Sequence, residues 1–135
     1  MKNTRGETVG VIAIGFRLDQ YAQLLVRKGA RIICDADVCG TFWKKFRGLM
    51  FRRKAVPLLF VFDSEMRERN AIHSFFCPRF DAVFLDRRKK IVGVERNIAP
   101  WKIAVFPRKA FIYLLELPAG VSKGLREGDT LAWTA

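Results

Sequence analysis

Short runs of apolar and β-branched residues recur along the chain, with turn residues between them. That spacing favours strands over helices. The segment QLLVRKGARIICDADV (23–38) reads as a hairpin turning near Lys28-Gly29, and DAVFLDRRKKIVGVER (81–96) as a second, with Asp86 to Lys90 at its tip. LLFVF (58–62) follows Pro57 and suits a buried strand, whereas the charged DSEMRERN (63–70) after it reads as a loop. AIHSFF (71–76) is expected to form a further strand, stopped by Pro78. NIAPWKIAVFPRK (97–109) has two prolines and reads as an extended loop. AFIYLLEL (110–117) is the strongest strand, closed by Pro-Ala-Gly. SKGLREGD (122–129) suggests one short helical turn before a last strand, TLAWT (130–134). The pattern predicts a mainly β, single-domain protein, a β-sandwich or a partly closed β-barrel with one or two short helices. Residues 21–135 form this domain, and residues 1–20 an N-terminal arm or extra strand.

The chain has 135 residues, half of them hydrophobic, which suits one domain with a sizeable core. Its charge is less ordinary: 25 Lys and Arg oppose 13 Asp and Glu, for a net +12. Such a field attracts polyanions, and nucleic acid is the partner class it suggests. Cys34, Cys39 and Cys77 are an odd set with no CxxC pair, and the only histidine is His73. Free thiols in a reducing cytoplasm follow, rather than a disulfide scaffold or a zinc site. No apolar run reaches the length of a membrane span. The basic start precedes an apolar stretch, Val9 to Phe16, but Glu7 interrupts it and no small-x-small cleavage site follows; a secretory signal is not expected.

One stretch breaks the strand pattern. In TFWKKFRGLMFRR (41–53), Phe42, Trp43, Phe46, Leu49 and Met50 fall on one face of a helix. Thr41 serves as N-cap and Gly48 as the left-handed residue that ends the helix, while Lys44, Lys45 and Arg47 are left on the solvent side. This segment, with IHSFFCPRFDAVFLD, YLLELPAG and a late Gly-Asp, resembles the family called domain of unknown function 192, over about Leu24 to Trp133. Its most recognisable motif is Arg47-Gly48-Leu49-Met50-Phe51-Arg52. The chain is most similar to archaeal members, in which Ile-His and aromatics stand where bacterial ones have Trp-Met-Lys-Asn. The resemblance implies a compact, mainly β domain with short helices. It implies no activity, substrate or cofactor.

Two sets of residues are candidates for function. The first is cationic: Lys44, Lys45, Arg47, Arg52, Arg53 and the adjoining Lys54, and the hairpin tip Arg87, Arg88, Lys89 and Lys90, which can reach phosphates. The second is a pocket of His73, Asp81, Trp101 and Glu116, for a small molecule or carbohydrate. Trp101 beside Lys102 pairs a stacking group with a cation, although Trp101 also suits a plug in the barrel mouth. Asp35 and Asp37 point the same way on one strand and read as a solubilising edge rather than a metal site. No P-loop, GxGxxG or GxSxG pattern occurs. No residue is assigned a catalytic role, and no metal or cofactor is implied. The leading expectation is a non-enzymatic binding module for an anionic partner. The others are the pocket, with or without enzymatic activity, and a structural or protein-interaction subunit.

Overall fold

The computed structural model describes residues 23–39, 53–67, 70–74, 76–102 and 104–134. They form seven strands: β1 (Gln23–Lys28), β2 (Arg31–Cys39), β3 (Leu58–Met66), β4 (Phe80–Leu85), β5 (Ile91–Ile98), β6 (Phe111–Pro118) and β7 (Ala132–Thr134). They make one sheet in the order β5-β4-β6-β3-β2-β1-β7. All pairings are antiparallel except β2 with β3.

The apolar runs explain the middle of this order. β4 is buried at every position and β6 at all but its last. A strand covered on both faces has no solvent side on which to alternate polar residues. One face contributes Val26, Val38, Leu59, Val83, Leu115 and Trp133 to a first cluster that draws on strands from both ends of the order. The sheet is therefore strongly coiled. It is not closed into a barrel: its edges meet at the single bridge Lys90–Thr130, flanked by Ile91 N–H to Asp129 O (2.7 Å) and Leu131 N–H to Lys89 O (2.9 Å). The other face carries Leu58, Phe60, Phe80, Ala82, Phe84 and Leu114. Segments outside the strands roof it, through Ala55, Val56, Ile72, Cys77, Val105 and Phe106. The result is the expected mainly β, sandwich-like domain.

Both hairpins form as expected, with Gly29 at φ 60° in the first turn. Three local expectations are corrected. β3 runs on to Met66, because Met66 still pairs with Phe111 beyond an irregularity after Val61; the charged Asp63 and Glu65 belong to a strand end, not a loop. AIHSFF is not a strand. Only Ile72 bridges, to Val105, and the segment then turns into the roof. β2 lies between β1 and β3, and Asp37 pairs with Leu58, so Asp37 does not guard an edge; Asp35 lies beyond that ladder. Among the described residues no α-helix occurs, and 122–129 holds turns rather than the expected short helical turn. The helix expected from Thr41 to Arg47, ended by Gly48, and the arm at 1–20 lie outside the described residues.

Gly93 in β5 shows how closely the roof sits. A Cβ there would lie 2.7 Å from the Pro107 side chain. Gly93→Ala must push that loop outward. It should cost about 1–3 kcal/mol, read as a lower urea midpoint at an unchanged slope.

Candidate functional site

One buried side chain ties two segments of the roof together, beside the paired backbone bonds of Ile72 and Val105. Ser74 is fully buried, and its hydroxyl sits in the mouth of the turn 99–102. It donates to Ala99 O at 2.7 Å and accepts from Lys102 N–H at 2.7 Å, taking the place of the bond that normally closes such a turn. Its backbone adds Ser74 N–H to Lys102 O (3.0 Å), and its carbonyl accepts from Trp101 N–H (3.1 Å) and Cys77 N–H (3.2 Å). Two segments separated in sequence are stapled together.

The staple fixes two residues in unusual conformations. Phe76 has φ 58° and Trp101 φ 72°. This region favours glycine, and a bulky residue there costs on the order of 1–3 kcal/mol. Pro100-Trp101 follows the order of a type II turn, whose second central position is normally glycine. Neither aromatic is fully buried in return: Phe76 is 49% exposed and Trp101 59%. They meet edge to face, with ring centroids 4.7 Å apart. Trp101 therefore does not plug a barrel mouth. The pair is an exposed platform built at the cost of backbone strain, with exposed Lys102 and Arg79 on the same two segments.

The residues expected to line one pocket are divided by the sheet. Asp81 pairs with Leu117, on the face of the first cluster, whereas Glu116 pairs with Ala82 and Leu58, on the roofed face. Asp81 is fully buried and internally committed: Asn97 N–H donates to Oδ1 (2.8 Å), and Gly120 N–H (3.0 Å), Ser122 N–H (3.1 Å) and the Ser122 hydroxyl (2.6 Å) donate to Oδ2. Burial alone would push this carboxyl up. The Ser122 hydroxyl and the N–H groups of Asn97, Ser122 and Gly120 outweigh it and hold the group below the usual carboxylate range. Asp81 is a structural anchor between β4, the end of β5 and the turn after β6.

Glu116 is the opposite case. It is 4% exposed, and its Oε1 has no hydrogen-bond partner. Burial pushes its carboxyl up to about 8, so it is mostly neutral at pH 7. Burial, with the neighbouring Glu116 charge, raises the Cys77 thiol to about 12. Cys77 packs against the roofed cluster directly after Phe76. His73 is half-buried in the same segment, between the Ile72 bridge and Ser74. Cys34 carries a free thiol, and burial together with Asp35 raises it to about 11.

The basic clusters are only partly available. Lys44, Lys45, Arg47 and Arg52 lie outside the described residues, while Arg53 and Lys54 are exposed. At the hairpin tip Arg87 is engaged: its Nε lies 2.9 Å from Glu65 Oε1. Lys89 does not project from the tip. Its φ is 66°, and its ammonium sits 4.6 Å from the centre of the Trp133 ring, where burial lowers its pKa. Arg88 and Lys90 remain exposed. Sequence reasoning singled out Trp101 but missed Phe76 and Ser74. The one written signal was the Pro-Trp order, and it appears only if the turn is assigned first.

Residues 24–133 match the model of an uncharacterized conserved family, DUF192. The chain belongs to the DUF192 family. A UPF0127 protein of Pyrococcus furiosus is 34% identical over 82% of this chain and 96% of its own length. Another, of Pyrococcus abyssi, is 36% identical over 72% of this chain and 84% of its own. A DUF192-like fold is found in a Sinorhizobium meliloti protein proposed to be a transcription regulator (TM-score 0.72, 21% identity, 83% of this chain and 92% of that one). It also occurs in a protein of unknown function from Novosphingobium aromaticivorans (TM-score 0.70, 16% identity, 82% and 84%). At these identities the two structures speak for the fold alone.

Two variants separate the roles of the buried acids. Asp81→Asn should cost about 1–3 kcal/mol at neutral pH. The wild-type advantage belongs to an acid whose folded pKa is depressed. It is present above the unfolded value and is lost as pH falls through the folded one, so the gap should narrow in acid. Glu116 behaves in reverse, because its folded pKa is raised. Its contribution is fully present below about pH 4.5 and is lost as pH rises to about 8. Glu116→Gln should therefore gain on wild type across that window, by roughly 1 kcal/mol per pH unit, in urea melts run from acid to alkaline buffer.

Proposed function

We propose that this protein is a non-enzymatic binding module for an anionic partner with planar groups, single-stranded nucleic acid in the first place. The observation that carries this reading is the Phe76–Trp101 platform. Two aromatics are held exposed, in strained conformations, by a buried serine. Strain of that kind persists at ligand clamps because the surroundings impose it. Every base offers a π-face, so aromatic platforms bind strands with little regard to sequence. The net charge of +12 supplies the attraction to phosphate. Lys102 follows Trp101 directly, Arg79 follows Phe76 by three residues and donates to Asn97 O (3.3 Å), and Arg53, Arg88 and Lys90 are further exposed cations. The free Cys34 thiol fits a reducing, cytoplasmic setting.

A second reading, a small-molecule pocket, has one specific observation in its favour: the unpartnered Oε1 of buried Glu116. Asp81 does not enter that pocket, since its oxygens are already used.

Titration of the full chain with short single-stranded homopolymers, followed by tryptophan fluorescence and by anisotropy, tests the first reading. Affinity should fall with salt, at a slope of about −0.7 per phosphate neutralised. Trp101→Ala should cost about 1–3 kcal/mol of binding, with the urea midpoint little changed. Arg88→Ser with Lys90→Ser should flatten the salt slope instead. Binding that ignores salt and Trp101 alike would sink the proposal.

A further inference from the structure

The segments 74–80 and 97–102, which carry Phe76 and Trp101, are closed on each other at both ends. At one end Ser74 takes Trp101 N–H on its carbonyl (3.1 Å) and Lys102 N–H on its hydroxyl (2.7 Å). At the other, Phe80 pairs with Ile98 where β4 begins and β5 ends, and Arg79 reaches across, its Nη1 donating to Asn97 O at 3.3 Å. Phe76 lies between these ties, and its ring meets that of Trp101 with centroids 4.7 Å apart. Arg79 is three residues from Phe76, so their Cα atoms are at most about 11 Å apart. An exposed cation thus stands at each end of the aromatic pair, Arg79 at one and Lys102 at the other, and neither segment contains an acid. Arg79 is held, and what holds it reaches into the core. Asn97 has φ 53°, and its N–H donates at 2.8 Å to Oδ1 of the fully buried Asp81. The carbonyl that Arg79 grips therefore belongs to a residue fixed from inside. A guanidinium carries five N–H donors in a planar fork, so one bond to a carbonyl orients it and leaves donors for a phosphate.

We propose that Arg79 is the phosphate contact of the Phe76–Trp101 site, so that the unit recognised is a nucleotide within a strand, with its base on the rings and an adjoining phosphate on the guanidinium. This rests on reading the aromatic pair as the binding surface. It adds a fixed address for one phosphate, where the net charge supplies only a diffuse attraction. A guanidinium oriented beforehand loses less freedom when the ligand arrives. Stacking and phosphate contact then act on the same nucleotide, and the strand is held in position on this face rather than merely drawn to it.

The test uses the full chain with two probes, a short single strand with natural phosphodiester linkages and the same sequence with uncharged methylphosphonate linkages. Wild type should bind the natural strand more tightly. Arg79→Gln should weaken that binding roughly threefold to tenfold, lower the salt slope by about 0.7, the share of one phosphate, and leave the uncharged strand as it was. Arg79→Lys keeps the charge but not the fork, and should recover the slope with only part of the affinity. Arg31→Gln removes an equal charge from an exposed residue at the turn between β1 and β2, and should stay near wild type. Urea melts confirm that the variants fold. An effect of Arg79→Gln no larger than that of Arg31→Gln would overturn the phosphate contact while leaving the platform standing, provided Trp101→Ala still weakens binding. Equal weakening on both strands would also overturn it, since the change would then act through the fold. If wild type binds neither strand, or binds without regard to Trp101, the platform reading and this inference fail together.

Discussion

Coverage of both faces of β4 and β6 is the constraint on which the rest of the molecule depends. A strand that is apolar throughout has to be sandwiched, or a row of large side chains meets water. The inner layer comes from coiling the sheet on itself. The outer layer has to come from elsewhere, and among the described residues it is supplied by non-strand segments rather than by a helix. Loops used in this way bring their backbone polar groups close to an apolar face, where each needs a partner.

Buried polar side chains meet that need; Asn70 does so at the end of β3, donating to Ser64 O, Met66 O and Phe111 O, and two others tie distant segments. Ser74 joins the segment 71–77 to the turn 99–102, and Asp81 gathers Asn97, Gly120 and Ser122 around β4. Both act by completing turns that the backbone leaves open. Because they fix the outer segments so tightly, Phe76 and Trp101 can be kept in conformations that a freer loop would relax. Glu116 stands apart from both. It is also buried, yet its Oε1 has no hydrogen-bond partner.

What could be read from the sequence was whatever local pattern decides. The two hairpins followed from Gly29 and from Asp86, whose carboxylate accepts the N–H groups of Arg88 and Lys90. The mainly β class followed from the recurrence of short runs. Distant neighbours decided the failures. Asp63 and Glu65 look like loop residues until Phe111 is placed beside Met66. AIHSFF has strand composition, but Ser74 is claimed by a turn some 25 residues further along. Asp81 and Glu116 look alike in their apolar surroundings, and only the register of β4 against β6 reveals that they face opposite ways. Lys89 counted as one more tip cation because nothing nearby in sequence announces Trp133.

The seam between β5 and β7 has a consequence for how such a domain survives at high concentration. An open sheet offers two bare edges to other chains, and a fully closed barrel offers none. Here the start of β5 is occupied by residues 128–131, and the ammonium of Lys89 rests on the Trp133 ring beside it. A second molecule approaching this edge to add a strand would have to displace those bonds and meet a cation first. The start of β5 is thus guarded as it would be in a barrel, without a complete cylinder.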